Sequence, residues 1–177
     1  DFGIASQLSQ ETQYLLNPNH LEGTPAYLSP EQTGRMNRAI DYRTDFYSLG
    51  IVFYECLGGC RPFVSDDLLE LVHSHLARTP PSLHQLKPEI PPAISDIVKK
   101  LMAKNPEERY QSSQGLKADL LQCRAELESQ GAIKAFSLGQ HDIWDRFQIP
   151  QKLYGRDREI EALLGAFERV SNPSDPP

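Results

Sequence analysis

The stretch Gly23-Thr24-Pro25-Ala26-Tyr27-Leu28-Ser29-Pro30-Glu31, followed by Asp45-Phe46-Tyr47-Ser48-Leu49-Gly50, decides how the chain is read. The first piece ends in the chemistry of a helix start. Ser29 can cap, Pro30 fits the first helical position, and Glu31 favours the positive end of the helix dipole. The second piece opens a longer helix. From Asp45 to Leu57 the apolar residues Leu49, Val52, Phe53 and Cys56, with Ile51 and Tyr54 beside them, cover most of the circumference, so burial is expected. Gly58-Gly59 relaxes the backbone and ends it, and Pro62 prevents its continuation.

Working outward, Asp1-Phe2-Gly3 lies upstream, joined to Gly23 by residues 4–22. That joining stretch is polar, carries Ser6, Ser9, Thr12 and Tyr14, and holds the turn-like Asn17-Pro18-Asn19 without a helical or strand period. Gln32 to Thr44 reads as a polar connector containing Arg35, Arg38 and Arg43. Ser65-Asp66-Asp67 caps the next helix, with Leu68, Leu69, Leu71, Val72 and Leu76 on its apolar side. His73 and His75, two positions apart, face different sides and do not share a metal ion. The proline-rich stretch Thr79–Pro92 is an ordered loop, because strong helices flank it. Ile94, Ile97, Val98, Leu101 and Met102 follow the period of an amphipathic core helix. Ser112 or Ser113 starts a final helix with Leu116, Leu120, Cys123 and Leu127 on one face, ending near Gly131.

Composition bounds the answer. Hydrophobic residues at 39% and charged residues at 24% describe a globular protein with room for a sizeable core. A net charge of −6 with no basic block argues against a nucleic-acid surface. No run of about 18 apolar residues is present, so no membrane span is encoded. Cys56, Cys60 and Cys123 are too few and scattered for a disulfide framework and read as reduced thiols of a cytoplasmic protein. Cys56 and Cys60 stand at i, i+4, a spacing open to a shared metal on a helix, but without neighbouring ligands both are expected to be buried small apolar residues.

The order and spacing of these pieces resemble the activation segment and central helix of a eukaryotic-like (Hanks-type) bacterial Ser/Thr protein kinase: Asp1-Phe2-Gly3 and Ala26-Tyr27-Leu28-Ser29-Pro30-Glu31 bracket a loop of the right length. The resemblance implies a mainly α fold, the helical C-terminal lobe over residues 1–131. It implies Asp1 as catalytic residue and Mg²⁺ ligand on the phosphates of ATP, because a carboxylate is a hard oxygen donor. Gly3 then permits the turn behind it. Gly23, Thr24, Pro25 and Tyr27 resemble the substrate-docking loop of Ser/Thr kinases, in which the Thr24 hydroxyl bonds the catalytic aspartate and its neighbouring lysine. Asp45, by the same likeness, accepts hydrogen bonds from the catalytic-loop backbone. Asn105-Pro106-Glu107-Glu108-Arg109-Tyr110 resembles the family's closing motif, where Arg109 pairs with Glu31. His20 occupies the position that many relatives phosphorylate, so loop ordering is expected to depend on adjoining domains or on the earlier hydroxyls.

Residues 132–151 read as a linker that partly packs. Gly155-Arg156-Asp157-Arg158-Glu159 and the amphipathic Ile160, Leu163, Leu164 and Phe167 resemble the start of an AAA- or STAND-type α/β ATPase module over 152–177, with no Walker A sequence in the chain. Such an arrangement resembles large multi-domain signalling kinases, many ending in a histidine-kinase module. Because the chain opens inside a motif, and the Gly-rich loop, the strand lysine and the catalytic-loop aspartate do not occur in it, a piece of a longer protein is expected, inactive by itself. The expected parent transfers the ATP γ-phosphate to a Ser or Thr of a protein substrate. The alternative is a pseudokinase scaffold, an input module for a downstream ATPase or histidine kinase.

Overall fold

The computed structural model describes residues 24–36, 38 and 40–142, all within Asp1–Trp144, the first of the two units into which the chain divides. Asp1, Gly3, Gly23, the polar loop and the ATPase-like segment lie outside the described residues. What is described is helical, with no strand, and none of its helices is long and apolar enough to cross a membrane.

Five α-helices follow one another: α1 (Arg43–Gly58), α2 (Leu68–Ala77), α3 (Leu83–Leu86), α4 (Pro92–Leu101) and α5 (Ser113–Gln130). Single 3-10 turns occupy Pro25–Tyr27, Glu31–Thr33 and Pro106–Glu108. The helix expected to grow from Ser29-Pro30-Glu31 is only the second of these turns. Ser29 does not cap it; its backbone N–H and its hydroxyl both donate to the Gln32 side-chain carbonyl, at 2.9 and 3.1 Å. Glu31 is turned into the core rather than left at a helix end, and Gly34, at φ 68°, stops the turn.

α1 begins at Arg43 rather than Asp45 and ends at the left-handed Gly59, whose N–H reaches the Glu55 carbonyl at 2.8 Å. It buries Tyr47, Gly50, Ile51 and Tyr54, but Val52 and Leu57 remain 40% and 38% exposed. Cys56 and Cys60 are also exposed, against expectation. Cys56 sits one turn from Val52 on the outward stripe, and Cys60 follows the reversal at Gly59.

Capping chemistry sets the later boundaries. The Asp67 carboxylate accepts from Leu69 N–H at 2.8 Å to open α2, and the Ser112 hydroxyl accepts from Gly115 N–H at 3.0 Å to open α5. α2 buries Leu71 and Val72 but leaves Leu68 and Leu69 outside. The proline-rich stretch is ordered and holds the unanticipated α3, which Ser82 and Gln85 open with a capping box beside the buried Leu83. In α4, Ile97, Val98 and Leu101 are buried and Ile94 is partly buried, and Met102, which ends the helix, is buried as well. α5 buries Leu116 and Cys123, whereas Leu120 and Leu127 of the same stripe stay exposed.

Two apolar clusters flank the packing of α1 on α4. Tyr47, Ile51, Tyr54, Phe63, Val98 and Met102 belong to one, and Ile97, Leu101, Tyr110, Leu116 and Cys123 to the other. Each fully buried aliphatic side chain contributes about 1.5–3 kcal/mol. Within the segment expected as a linker, Ile133, Phe136 and Leu138 pack against the second cluster.

The close approach of α1 to α4 needs Gly50. A Cβ there would stand 2.8 Å from Leu101 Cβ and from Met102 Cγ, and 3.3 Å from the Leu101 carbonyl carbon. Gly50→Ala is therefore expected to destabilise the domain by about 1–3 kcal/mol despite the better helix propensity of alanine. Urea melts of the variant check this; a midpoint equal to or above that of the parent would show that the helices separate at no cost.

Candidate functional site

Arg109 follows the 3-10 turn Pro106–Glu108 with an extended backbone, and its guanidinium enters the core. Nη1 donates to Glu31 Oε1 at 2.7 Å and Nη2 to Oε2 at 2.8 Å, a two-pronged ion pair with side chains 0% and 1% exposed. The remaining guanidinium donors reach the carbonyls of Ala103 (2.8 Å), Arg43 (2.9 Å) and Lys104 (3.2 Å). Thr44 Oγ1 donates to Glu31 Oε1 at 2.8 Å, and the Tyr47 ring lies under the guanidinium with its centroid at 4.9 Å. Burial by itself would raise the Glu31 carboxyl, but the Arg109 hydrogen bonds and charge and the Thr44 hydroxyl outweigh it and hold the group below the usual range.

Around this pair stands a second tier. The Arg43 guanidinium grips Asp41, with Nη2 at 2.6 Å from Oδ2, and donates from Nη1 to Gln111 Oε1 at 2.8 Å. Gln111 is itself buried, and its amide donates to the carbonyls of Pro106 and Arg109, at 2.9 and 2.8 Å. Arg38 pairs with Glu107. Sequence reasoning treated 32–44 as a polar connector and missed Arg43, Thr44 and Gln111. The Asp41–Arg43 spacing is a local signal for a side-chain pair; the Gln111 contact, 68 positions away, has none.

The candidate docking piece rests on α1. Thr24 is exposed at the head of the turn Pro25–Tyr27, and its carbonyl accepts from Tyr27 N–H at 3.0 Å. Tyr27 donates its hydroxyl to Glu55 at 2.5 Å, and Ser48 Oγ donates to the Tyr27 carbonyl at 2.9 Å. Ala26, Leu28 and Ser29 are buried. Helix α1 thus brings Thr24, Pro25 and Tyr27 into one unit with Glu31 and Arg109. Asp45 is exposed in the first turn of α1. Asp1, Gly3 and Gly23 lie outside the described residues, and no group of three or more His, Cys, Asp or Glu side chains among the described residues is arranged to hold a metal ion.

His75 of α2 was read only as one of two helical histidines on different sides. It is 1% exposed, shares a 3.1 Å hydrogen bond between Nδ1 and the Tyr47 hydroxyl, and stacks edge-on against Phe63. Its Nε2 is buried without a hydrogen bond of ordinary geometry among the described residues, although the Pro25 backbone lies close enough to favour a proton on the ring. Lys104 lies over the Phe63 ring at 4.6 Å and donates to the Ser74 carbonyl at 3.3 Å. Burial, then the nearby Lys104 ammonium, push the His75 pKa down to about 4, and burial followed by Arg109 pushes Lys104 down to about 8. A neutral imidazole is what this core accommodates.

The sign of the resulting pH effect follows. The folded His75 binds its proton less readily than the unfolded one, so its contribution is complete above the unfolded pKa of about 6.5 and is lost as pH falls toward about 4. Between those limits the domain is expected to lose on the order of 2 kcal/mol, a loss that His75→Gln, which cannot charge, should largely remove. Denaturant midpoints at pH 7 and pH 4.5 for both proteins check this, and an identical acid loss in the variant would exclude His75 as the cause.

The protein kinase domain family model matches residues 1–121. A hybrid signal transduction histidine kinase G of Dictyostelium discoideum is 40% identical over 82% of this chain and 5% of its own length. A peroxide stress-activated histidine kinase, mak3, of Schizosaccharomyces pombe is 34% identical over 77% of this chain and 6% of its own. The Ser/Thr protein kinase PknB of Mycolicibacterium smegmatis is 36% identical over 68% and 19%. The chain therefore spans a small part of each of these relatives. With the helical architecture and the matched span, which runs through the candidate docking piece and past Arg109, the chain belongs to the protein kinase domain family.

Proposed function

We propose that this chain is the C-terminal-lobe portion, over residues 1–131, of a kinase that transfers the ATP γ-phosphate to Ser or Thr of a protein substrate. The observation that carries the reading is the buried Glu31–Arg109 pair, because it fixes the chain immediately after Thr24–Leu28 to the last helices. A substrate-docking segment must hold its shape when an acceptor peptide binds, since misplacement of the hydroxyl costs rate. Here that shape is set by Ser48 and Glu55 of α1 on one side and by the ion pair on the other. Thr24 is exposed at the head of its turn, and in this reading its hydroxyl bonds the catalytic loop of such an enzyme.

Asp1 is the Mg²⁺ ligand in this reading, and its carboxylate is the donor type that Mg²⁺ takes in phosphoryl-transfer sites. Bound Mg²⁺–ATP supplies the phosphoryl group and neutralises its charge, while the chain's own task is to hold the acceptor. The relatives that carry histidine-kinase names support a place in a multi-module signalling protein; in this reading 152–177 begins an ATPase module beyond a linker, a reading that rests on the residues of that stretch alone.

The test uses the parent protein with radiolabelled ATP, Mg²⁺ and a Ser/Thr-rich protein acceptor. Asp1→Ala is expected to abolish transfer, and Thr24→Ala to lower it about tenfold or more while Thr24→Ser retains most of it. A folded parent that transfers no phosphate, or transfers equally in all variants, would contradict the assignment and favour a scaffold.

A further inference from the structure

Beyond α5 the chain turns back, and two buried or partly buried carboxylates receive it. Asp119, 2% exposed on α5, accepts from the Tyr110 hydroxyl at 2.6 Å and from Gly139 N–H at 2.8 Å. Gly139, at φ 75°, makes the turn that carries Asp142 inward. The Asp142 carboxylate then takes three donors from two consecutive residues. Oδ2 accepts from Gln111 N–H at 2.8 Å, and Oδ1 accepts from both Ser112 N–H and Ser112 Oγ at 2.8 Å. Those donors stand at the start of α5, where a negative charge is favoured, and charge-assisted bonds of this kind are the stronger ones. Gly115 leaves the room: a Cβ there would collide with Asp142 Oδ1, Cβ and Cγ.

Gln111 is the link onward. Its backbone is held by Asp142, and its side chain receives Arg43, whose carbonyl in turn receives Arg109. Arg109 holds Glu31, and Glu31 closes the stretch that begins at Thr24. An unbroken run of hydrogen bonds therefore connects Asp142 to the segment under Thr24, through groups that are mostly buried and have few alternative partners. A side chain that loses its partner inside such a network leaves the next group unsatisfied, which propagates the disturbance.

We propose that Asp142 is a positioning residue for the Thr24–Glu31 segment, coupling the seating of the chain after α5 to the Glu31–Arg109 anchor. A displacement of this carboxylate reaches the Thr24–Glu31 segment through Gln111 and Arg43. That the segment docks substrate rests on the reading above; the coupling itself does not, and it is read without any activity measurement.

The experiment is amide hydrogen exchange on the full 177-residue chain, comparing the parent with Asp142→Asn and Gly115→Ala. Asp142→Asn keeps the shape and removes the charge and one acceptor, while Gly115→Ala keeps the carboxylate and displaces it. Both variants should speed exchange of the amides in 24–33 by about three- to tenfold, leaving those of Ile97–Leu101 in α4 unchanged. Acceleration confined to 111–142, or equal acceleration at every site including α4, would overturn the proposal. If Gly115→Ala fails to fold, Asp142→Asn alone decides the outcome. Unchanged exchange in 24–33 would also overturn the proposal, whereas faster exchange there with unaltered phosphoryl transfer by the parent protein bearing the same substitution would instead fault the docking assignment, so the two failures are distinguishable.

Discussion

A guanidinium and a carboxylate buried together at 0% and 1% exposure impose the constraint on which the rest of the domain depends. Removing two full charges from water costs several kcal/mol each, and mutual attraction offsets that only when every donor and acceptor is matched. Arg109 meets the requirement with five hydrogen bonds of 2.7 to 3.2 Å: two to Glu31 and three to backbone carbonyls. Those carbonyls belong to Ala103, Lys104 and Arg43, so one side chain fixes the exit of α4, the start of α1 and the turn Glu31–Thr33 at once. The pair thus specifies geometry more than it adds stability, because an apolar pair of equal volume would fill the same space without demanding those positions.

From that anchor the elements on either side acquire their places. The turn Glu31–Thr33 cannot lengthen into a helix, because Glu31 must stay with Arg109 and Gly34 reverses the chain. α1 is then held at both ends, by Thr44 on Glu31 and by Gly59 at its close. Its middle is pressed to α4 at Gly50, which allows Tyr47 to reach both the Arg109 guanidinium and His75. The segment Thr24–Leu28 lies across α1 and inherits this rigidity through Ser48 and Glu55. On the proposed reading that this segment holds an acceptor, such stiffness is what phosphoryl transfer requires, since little covalent chemistry falls to the protein and positioning does most of the work.

How much of this was legible depended on the range of the interaction. Caps and stops were readable because their chemistry is local: the Asp67 and Ser112 side chains begin helices by accepting backbone N–H groups, and Gly59 and Gly131 end them by taking positive φ. The period of Ile97, Val98, Leu101 and Met102 was equally plain, and these residues are buried. Burial itself was less readable. Val52, Cys56, Leu120 and Leu127 sit on faces that look apolar in sequence but stay exposed, because a pattern shows which face is apolar and not what covers it. α3 was hidden in a proline-rich stretch, although Ser82 and Gln85 carry the spacing of a capping box. Long-range polar partners were the least readable. Only a resemblance joined Glu31 to Arg109 across 78 positions, and nothing in the chain announced Gln111 on Arg43 or Asp142 on Gln111.

The most direct test of the anchoring role of this ion pair is a double-mutant cycle on its two members. Glu31→Ala and Arg109→Ala should each lower the unfolding free energy by about 3–5 kcal/mol, since each leaves an unmatched buried charge. The double variant should lose less than the sum, leaving a coupling of about 1–3 kcal/mol in denaturant melts. Small and additive losses would show that the pair does not hold the segment, and would contradict the central claim.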